Sequence, residues 1–511
     1  MTRDASHRHR QSPSYRLSRA IGCPLEVLRT SRPELWSSVW HVGAGPRARG
    51  AQFVSGAPDV RLRVALFHGL PPGGALRALY EVVKRFPPDL QVDLFTADLA
   101  PVDRFTDLAA GTYHLDLSGS VASTRSYELP GAARALAPRL GRIGAFVVGG
   151  EGMRRVQKQM ARDINHDGYN VAYVHACRFS LSVPIAEWLT VPCVFYAQET
   201  RRVGFEAQPH RVSQQRNRQA LIRLLRRPYE SVCRRRDRRA VAAVDRVLCN
   251  SHFSADMLTA AYGIDPVVCY LGVDDNVFRP SDELPIGSSA LSASPLRVLS
   301  VGALHPVKGH DLALAATAHA ASATSARGEL HVVYERERPG YASELNGLAR
   351  SLGIELRLHR GIPDESLAHL YRSAQVTVCA ARLEPFGLTV LESTGCGTPV
   401  VAIAQGGYRE TVIDGVNGYL AERNAASLGE GIIRIMRGDL KTTPAALHAL
   451  VSRDWSWDVA AERIADQLRL AASKPKSGER PAPSAPTGSV TTEFTGPAST
   501  SAVPHFEEEA Q

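Results

Sequence analysis

The segment Leu383–Gly407, LEPFGLTVLESTGCGTPVVAIAQGG, concentrates residue types that can do chemistry. It follows the apolar run QVTVCA and contains a second, PVVAI, so it joins two predicted strands. Pro385 and Gly387 break the chain, and Leu388, Val390 and Leu391 then open a helix. Free backbone N–H groups near Gly387 and Leu388 would form an anion site at that helix N-terminus, suited to a diphosphate. Glu384 lies just before the helix and Glu392 about a turn inside it. Two carboxylates would repel a diphosphate, so their partners are expected to be neutral hydroxyls of a sugar or ribose, which accounts for both at once and argues for a nucleotide sugar.

A second anion element is SVGALHPVKGHD, where a strand ends at Gly302 and Lys308 and Gly309 open the next helix. Lys308 would reach a phosphate as a point charge. Gly406 and Gly407 supply a third strand-to-helix turn, open between a close backbone approach to a ligand and a plain turn. Nearer the start, FHGLPPGGALRALYEVV sets Gly73 and Gly74 between a strand and a helix without completing a dinucleotide or P-loop fingerprint, so phosphate loop and plain turn both remain open. His68, His175, Gln198 and Glu199 end first-half strands, the edge where a cleft would lie, although a single histidine in such a place is more often structural. The chain has no G-x-S-x-G elbow, no H-E-x-x-H and no D-x-D pair on a strand end, so neither serine hydrolysis nor metal-dependent transfer is supported. Eight cysteines stand singly, most of them inside apolar runs, and are expected to be small buried hydrophobes.

These residues need a scaffold of alternating strands and helices. Short β-branched runs at Leu62–Phe67, Gln91–Thr96, Val171–His175, Cys193–Tyr196, Arg246–Asn250 and Val267–Tyr270 alternate with longer helical periods. A Pro/Ser-rich break follows at 281–295, then a second series at Leu296–Val301, Leu330–Tyr334, Glu355–Leu358, Gln375–Cys379 and Pro399–Ile403. The expected fold class is α/β, two doubly wound domains facing each other across a cleft at the carboxyl ends of their strands. Predicted bounds are a disordered basic extension at 1–58, a first domain at 59–280, the linker, a second domain at 296–455, a closing helix at 456–472 and a disordered tail at 473–511. With 511 residues, 44% hydrophobic and 22% charged, the chain has enough apolar surface for two such cores. It shows no apolar window of membrane-spanning length and no signal-like start, so a cytoplasmic location is expected.

At this level of detail the chain resembles glycosyltransferase family 4, retaining enzymes of the GT-B fold that use nucleotide sugars. The likeness runs from about Arg63 to Leu470 through PPGGALRALYEVVKRF, VFYAQET, DRVLCNSHFSADML, VGALHPVKGHDL, GIPDESLAHLYRSAQV, GCGTPVVA and GGYRETVIDGVNGYL. EPFGLTVLE carries the family's Glu-x7-Glu signature. The resemblance implies that Glu392 binds ribose hydroxyls, that Glu384 touches the transferred sugar, and that the N–H groups of Phe386, Gly387 and Leu388 hold sugar and phosphate. Lys308 would neutralise the diphosphate, with Gly73 and Gly74 lining it from the opposite domain and Gly302 from its own. It further implies transfer with retention to a carbohydrate or lipid-linked acceptor, with no cofactor and no metal ion. Two positions depart from the common pattern. Many members carry Arg where this chain has Ala303, and many carry His where Gln198 stands; Gln can hydrogen-bond a sugar but cannot accept a proton. The resemblance therefore places Gln198 beside Glu384 and Lys308 as the third catalytic position.

Net charge is +9, and residues 201–240 alone hold 13 Arg against Glu206, Glu230 and Asp237. Three fates compete for the basic stretch 210–239: a solvated face, an anionic membrane surface, or nucleic acid, the last disfavoured because no aromatic residues interleave the arginines. Against a sugar transferase stand two alternatives, a nucleotide-sugar epimerase or hydrolase, and a non-catalytic protein that binds nucleotide sugars, which Ala303 and Gln198 would suit.

Overall fold

A computed structural model describes residues 61–70, 73–98, 120–131, 141–177, 182–198, 231–281 and 295–473. The terminal extensions, most of the linker, Glu199 and residues 210–230 of the basic stretch lie outside the described residues.

The first sheet comprises β1 (Leu62–Gly69), β2 (Leu90–Asp98), β3 (Ser123–Glu128), β4 (Val171–Cys177), β5 (Cys193–Ala197), β6 (Arg246–Cys249) and β7 (Val267–Val268). Its order is β3-β2-β1-β4-β5-β6-β7, and every pairing is parallel. The second comprises β8 (Leu296–Val301), β9 (Gly328–Tyr334), β10 (Glu355–Arg360), β11 (Val376–Cys379), β12 (Val400–Ile403) and β13 (Gly418–Ala421), in the order β10-β9-β8-β11-β12-β13 and again wholly parallel. Strand order therefore reverses between β1 and β4 and between β8 and β11, the crevices where doubly wound sheets take ligands. All eleven predicted strands form. The edge strand β3, STRSYE, has no apolar run because much of it faces solvent, and the four-residue β13 is too short to stand out; both were missed.

Helices cover both faces of each sheet. They are α1 (Gly74–Lys84), α2 (Gly141–His166), α3 (His252–Tyr262), α4 (His310–Thr324), α5 (Tyr341–Leu352), α6 (Asp364–Ser373), α7 (Leu388–Gly395), α8 (Tyr408–Thr411), α9 (Ala425–Met436), α10 (Pro444–Asp454) and α11 (Trp457–Ala472). Two-sided cover explains the continuous apolar runs. Val64 and Leu66 of β1 join one core cluster while Ala65 and Phe67 join another on the opposite face.

The closing helix returns to the first domain. Ser456 caps α11 by accepting from the Val459 amide at 3.3 Å, and Trp457, Ala460, Ala461, Ile464, Ala465 and Leu468 are buried at helical spacing. They pack with Val82 and Val83 of α1 and with Tyr173 and Tyr196 of the first sheet. Where the chain crosses back, the Val273 amide donates to the Trp455 carbonyl at 2.8 Å.

Candidate functional site

A cleft of about 610 Å³ lies between the two domains. Ten of the residues singled out from the sequence line it: Gly73, Gly74 and Gln198 from the first domain, and Gly302, Lys308, Glu384, Phe386, Gly387, Leu388 and Glu392 from the second.

Each is placed by local structure that its sequence dictates. Gly387 caps α7 at φ 100°, a left-handed turn that glycine adopts without strain, and a β-carbon there would lie 2.9 Å from the Tyr408 ring. Leu388 is thus the first residue of α7; the Val390 amide bonds back to the Gly387 carbonyl at 3.0 Å, while the Leu388 and Thr389 amides have no partner within the helix. Phe386 splits its roles. Its side chain is buried between Tyr270 and Trp455, with ring centroids 6.1 and 5.7 Å away, which anchors a loop that borders the cleft. Lys308 closes a 3₁₀ turn over Pro306–Lys308, in which the His305 ring accepts from the Val307 amide at 3.2 Å. The buried His310 ties that turn to the end of β8, its ring nitrogens lying 3.0 Å from Ser300 Oγ and 3.1 Å from the Ala303 carbonyl. Burial pulls its pKa down to about 4, so the ring is neutral at physiological pH.

The charges are arranged in pairs. Lys308 Nζ donates to Glu384 Oε2 at 2.8 Å, which pairs the cation with the carboxylate in the wall of the cleft. Glu392 is buried behind them, with Oε2 accepting from the Tyr371 hydroxyl at 2.8 Å and Oε1 lying 3.4 Å from Arg77 Nη1. Burial raises the Glu392 pKa, opposed by the Arg77 guanidinium and the Tyr371 hydroxyl. Arg77 comes from α1 in the other domain and also reaches Asp364 Oδ2 at 2.9 Å, so it bridges the cleft. Burial works against its charge, but Glu392, Asp364 and Glu81 together raise its pKa.

Sequence reasoning overlooked Arg77, Tyr371 and Asp364. Arg77 sits one turn past Gly74 in GGALR, on the side of α1 that its N-terminus presents to the cleft; that spacing was the available signal.

At two places that the sequence left open, the structural alternative holds. Gly406 and Gly407 border the Glu384 loop, not the cleft: β-carbons there would fall 2.4 Å from the Glu384 carbonyl oxygen and 2.5 Å from Phe386 Cα. These glycines let α8 pack directly beneath the loop. His175 lies two residues before the end of β4 and does not line the cleft. It is buried between Tyr173 and Tyr196, at centroid distances of 4.8 and 5.7 Å, and burial pulls its pKa down to about 3. His68 likewise stands outside the cleft lining.

Further bonds lock the domains beside the site. Ser251 caps α3 and donates its hydroxyl to the Pro385 carbonyl at 2.6 Å. Glu410 of α8 accepts from the His252 and Phe253 amides at 2.8 and 2.9 Å and from the Tyr270 hydroxyl at 3.1 Å. A carboxylate from one domain therefore sits on a helix N-terminus of the other. Asn250 Nδ2 holds the Gln198 carbonyl at 3.0 Å.

Family models match both halves of the chain, one described as glycosyl transferases group 1 over residues 286–447 and one as glycosyltransferase family 4 over residues 72–277. The chain belongs to glycosyltransferase family 4.

Its two parallel sheets across a cleft are the GT-B arrangement. The family 4 chain is 36% identical over 245 residues to a D-inositol 3-phosphate glycosyltransferase of Geodermatophilus obscurus, covering 45% of this chain and 53% of the relative. A protein of the same name from Actinosynnema mirum is 34% identical over 242 residues, covering 45% and 58%. The chain thus spans little more than half the length of these relatives. Among solved structures, sucrose-phosphate synthase of Thermosynechococcus elongatus aligns with a TM-score of 0.59 at 21% identity, over 80% of this chain and 99% of that one. HepE of Anabaena, solved in complex with UDP, aligns at 0.56 and 20% identity, over 80% and 100%. At such identities the likeness establishes the fold.

Among the described residues of the family 4 chain, no three His, Cys, Asp or Glu side chains are grouped as a metal ion would require, and no helix is long and apolar enough to cross a membrane. Cys177, Cys193, Cys249, Cys269, Cys379 and Cys396 are buried, and burial pushes the Cys249, Cys269 and Cys379 thiols up to about 12, so these three pack as hydrophobes. Of the basic stretch, residues 231–239 are helical; there Arg236 pairs with Glu151 at 2.9 Å and Arg238 donates to the Ala261 carbonyl at 3.4 Å.

Proposed function

We propose that this chain transfers a sugar from a nucleotide-diphosphate donor to a hydroxyl of a carbohydrate or lipid-linked acceptor, with retention at the anomeric carbon and without a metal ion. The observation that carries the reading is that the bonded pair Lys308 and Glu384, the start of α7, Glu392 one turn into that helix and the Gly73–Gly74 turn of the other domain all line one cleft. The HepE complex with UDP supports a uridine nucleotide as donor, and the name of the Geodermatophilus relative supports a polyhydroxylated, phosphorylated ring among the acceptors.

In this reading the diphosphate lies between the α7 amides and Lys308, the ribose diol is held by Glu392, and hydroxyls of the sugar bond Glu384. Donor binding draws Lys308 from Glu384 towards the phosphate, leaving the carboxylate to accept from the sugar. The bond from the anomeric carbon to the phosphate oxygen breaks, and the acceptor oxygen bonds the carbon on the same face. The acceptor's proton passes to the departing phosphate oxygen, so no protein base is needed. Gln198 would hydrogen-bond the sugar or acceptor without taking a proton. Rate enhancement then comes from positioning and from charge stabilisation of the leaving diphosphate by Lys308 and the helix amides.

The test is a thermal-stabilisation screen against UDP-, GDP- and ADP-sugars, in which a ligand at a hundred times its Kd adds about 2.7 kcal/mol. It is followed by transfer assays with inositol 3-phosphate, free sugars and a polyprenyl-linked sugar as acceptors, and by NMR of the product's anomeric configuration. Stabilisation by one nucleotide sugar, transfer with retention, and loss of transfer in Lys308→Ala are expected. Stabilisation without transfer to any acceptor would favour the binding-protein alternative. Full activity in Lys308→Ala would overturn the assignment of roles.

A further inference from the structure

We propose that Arg336 is a binding residue for the donor diphosphate, supplying from the end of β9 the guanidinium that position 303 lacks. The proposal rests on the nucleotide-sugar reading above. Ala303 follows Gly302 at the end of β8, and its methyl group offers a phosphate nothing. The neighbouring chain carries the missing chemistry. Pairing between β8 and β9 continues past both strands: the Gly302 amide donates to Val333 O at 3.0 Å, the Leu304 amide to Arg336 O at 2.7 Å, and the Arg338 amide to Leu304 O at 2.9 Å. Ala303 and Arg336 therefore sit on adjacent, mutually bonded segments. His310 pins the Ala303 carbonyl from the other side at 3.1 Å.

The direction of the side chain is the second observation. Arg336 Nη2 lies 3.4 Å from the place a β-carbon on Gly73 would take, so the guanidinium crosses the cleft to the turn that opens α1. On the opposite wall the stem of Lys308 lies over Gly302, 3.3 Å from the corresponding β-carbon position. Two cations thus lie over two bare glycine turns, each turn preceding a helix N-terminus, and all four residues line the same cleft.

Charge pairing is the third. Lys308 is paired with Glu384, Arg77 with Glu392 and Asp364, and Arg338 with Glu344. Among the described residues Arg336 forms no ion pair, which leaves its full charge for a ligand. A guanidinium also matches phosphate oxygens with two parallel N–H donors, a geometry Lys308 cannot offer.

The experiment is calorimetric titration of UDP, GDP, ADP and the matching nucleosides into the full-length chain, into Arg336→Ala, into Ala303→Arg and into the double variant. Arg336 is exposed, so its replacement should leave the unliganded melting temperature unchanged. Loss of a charge-assisted contact is expected to weaken diphosphate binding roughly tenfold or more. Nucleoside binding should stay as it was, and the double variant should recover most of the diphosphate affinity. Equal diphosphate affinity in Arg336→Ala overturns the proposal, as does an equal loss for nucleoside and diphosphate. If the unaltered chain binds none of the three diphosphates, the nucleotide-sugar reading fails first and this one with it.

Discussion

Replacing Arg77 by Met should destabilise the chain by an amount that grows with pH, because it strands a buried carboxylate. In the intact protein the guanidinium meets Glu392 at 3.4 Å and Asp364 at 2.9 Å. These contacts are not equivalent. The Asp364 side chain is 46% exposed, so water screens that half of the interaction and it contributes little. Glu392 is 7% exposed, and without Arg77 the Tyr371 hydroxyl is left as its principal partner. Breaking a buried pair by removing one member costs about 3 to 5 kcal/mol. Because the Arg77 side chain keeps 27% of its surface in water, the cost is taken below that range, at about 2 kcal/mol.

The pH dependence has a defined sign. Burial already raises the Glu392 pKa above its unfolded value, and Arg77 holds the rise in check. Without Arg77 it climbs further, aided by Asp364, while Glu81 keeps its ion pair with Arg85 and the Tyr371 hydroxyl, pushed well up by burial, stays protonated throughout. A carboxyl that binds its proton more tightly when folded contributes most below its unfolded pKa of about 4.3, and that contribution is lost as pH rises through the folded value. The variant's deficit should therefore be small near about pH 5 and largest near about pH 8, where about 2 kcal/mol lowers the melting temperature by about 3 °C. Calorimetric unfolding of the intact chain, Arg77→Met, Glu392→Gln and the double variant measures this, and the double variant should regain most of the loss. A deficit that does not change with pH, or that Glu392→Gln fails to relieve, would refute the reasoning.

Two other changes probe the packing around the site. Gly406→Ala forces a β-carbon to within 2.4 Å of the Glu384 carbonyl at a φ of +61°, so the loop must shift; donor affinity measured by titration should fall about tenfold, an error of about 1.4 kcal/mol in carboxylate placement, with unchanged circular dichroism. Glu410→Ala removes the carboxylate seated on the start of α3 and should cost about 1 to 2 kcal/mol, read as faster hydrogen exchange at the His252 and Phe253 amides.

The elements of the fold were legible where both faces of a strand are buried, since VALF in β1 and VVAI in β12 are apolar without interruption. The start of α7 was legible too, because Pro385 and Gly387 act on their immediate neighbours. Strand β3 was not, as an edge strand that partly faces water needs no apolar signature. The chain's own order of residues determined two doubly wound domains and ten of the cleft residues, for these follow from local turn chemistry and from burial patterns repeated along the chain. Tertiary structure alone decided which charges meet: Lys308 with Glu384 across 76 positions, Arg77 with Glu392 across 315, and Arg336 beside Gly73. It also made Gly406 and Gly407 packing contacts and sealed His175 among tyrosines. The physical reason is that Coulomb energy, desolvation and steric contact depend on separation in space, which position along the chain does not encode.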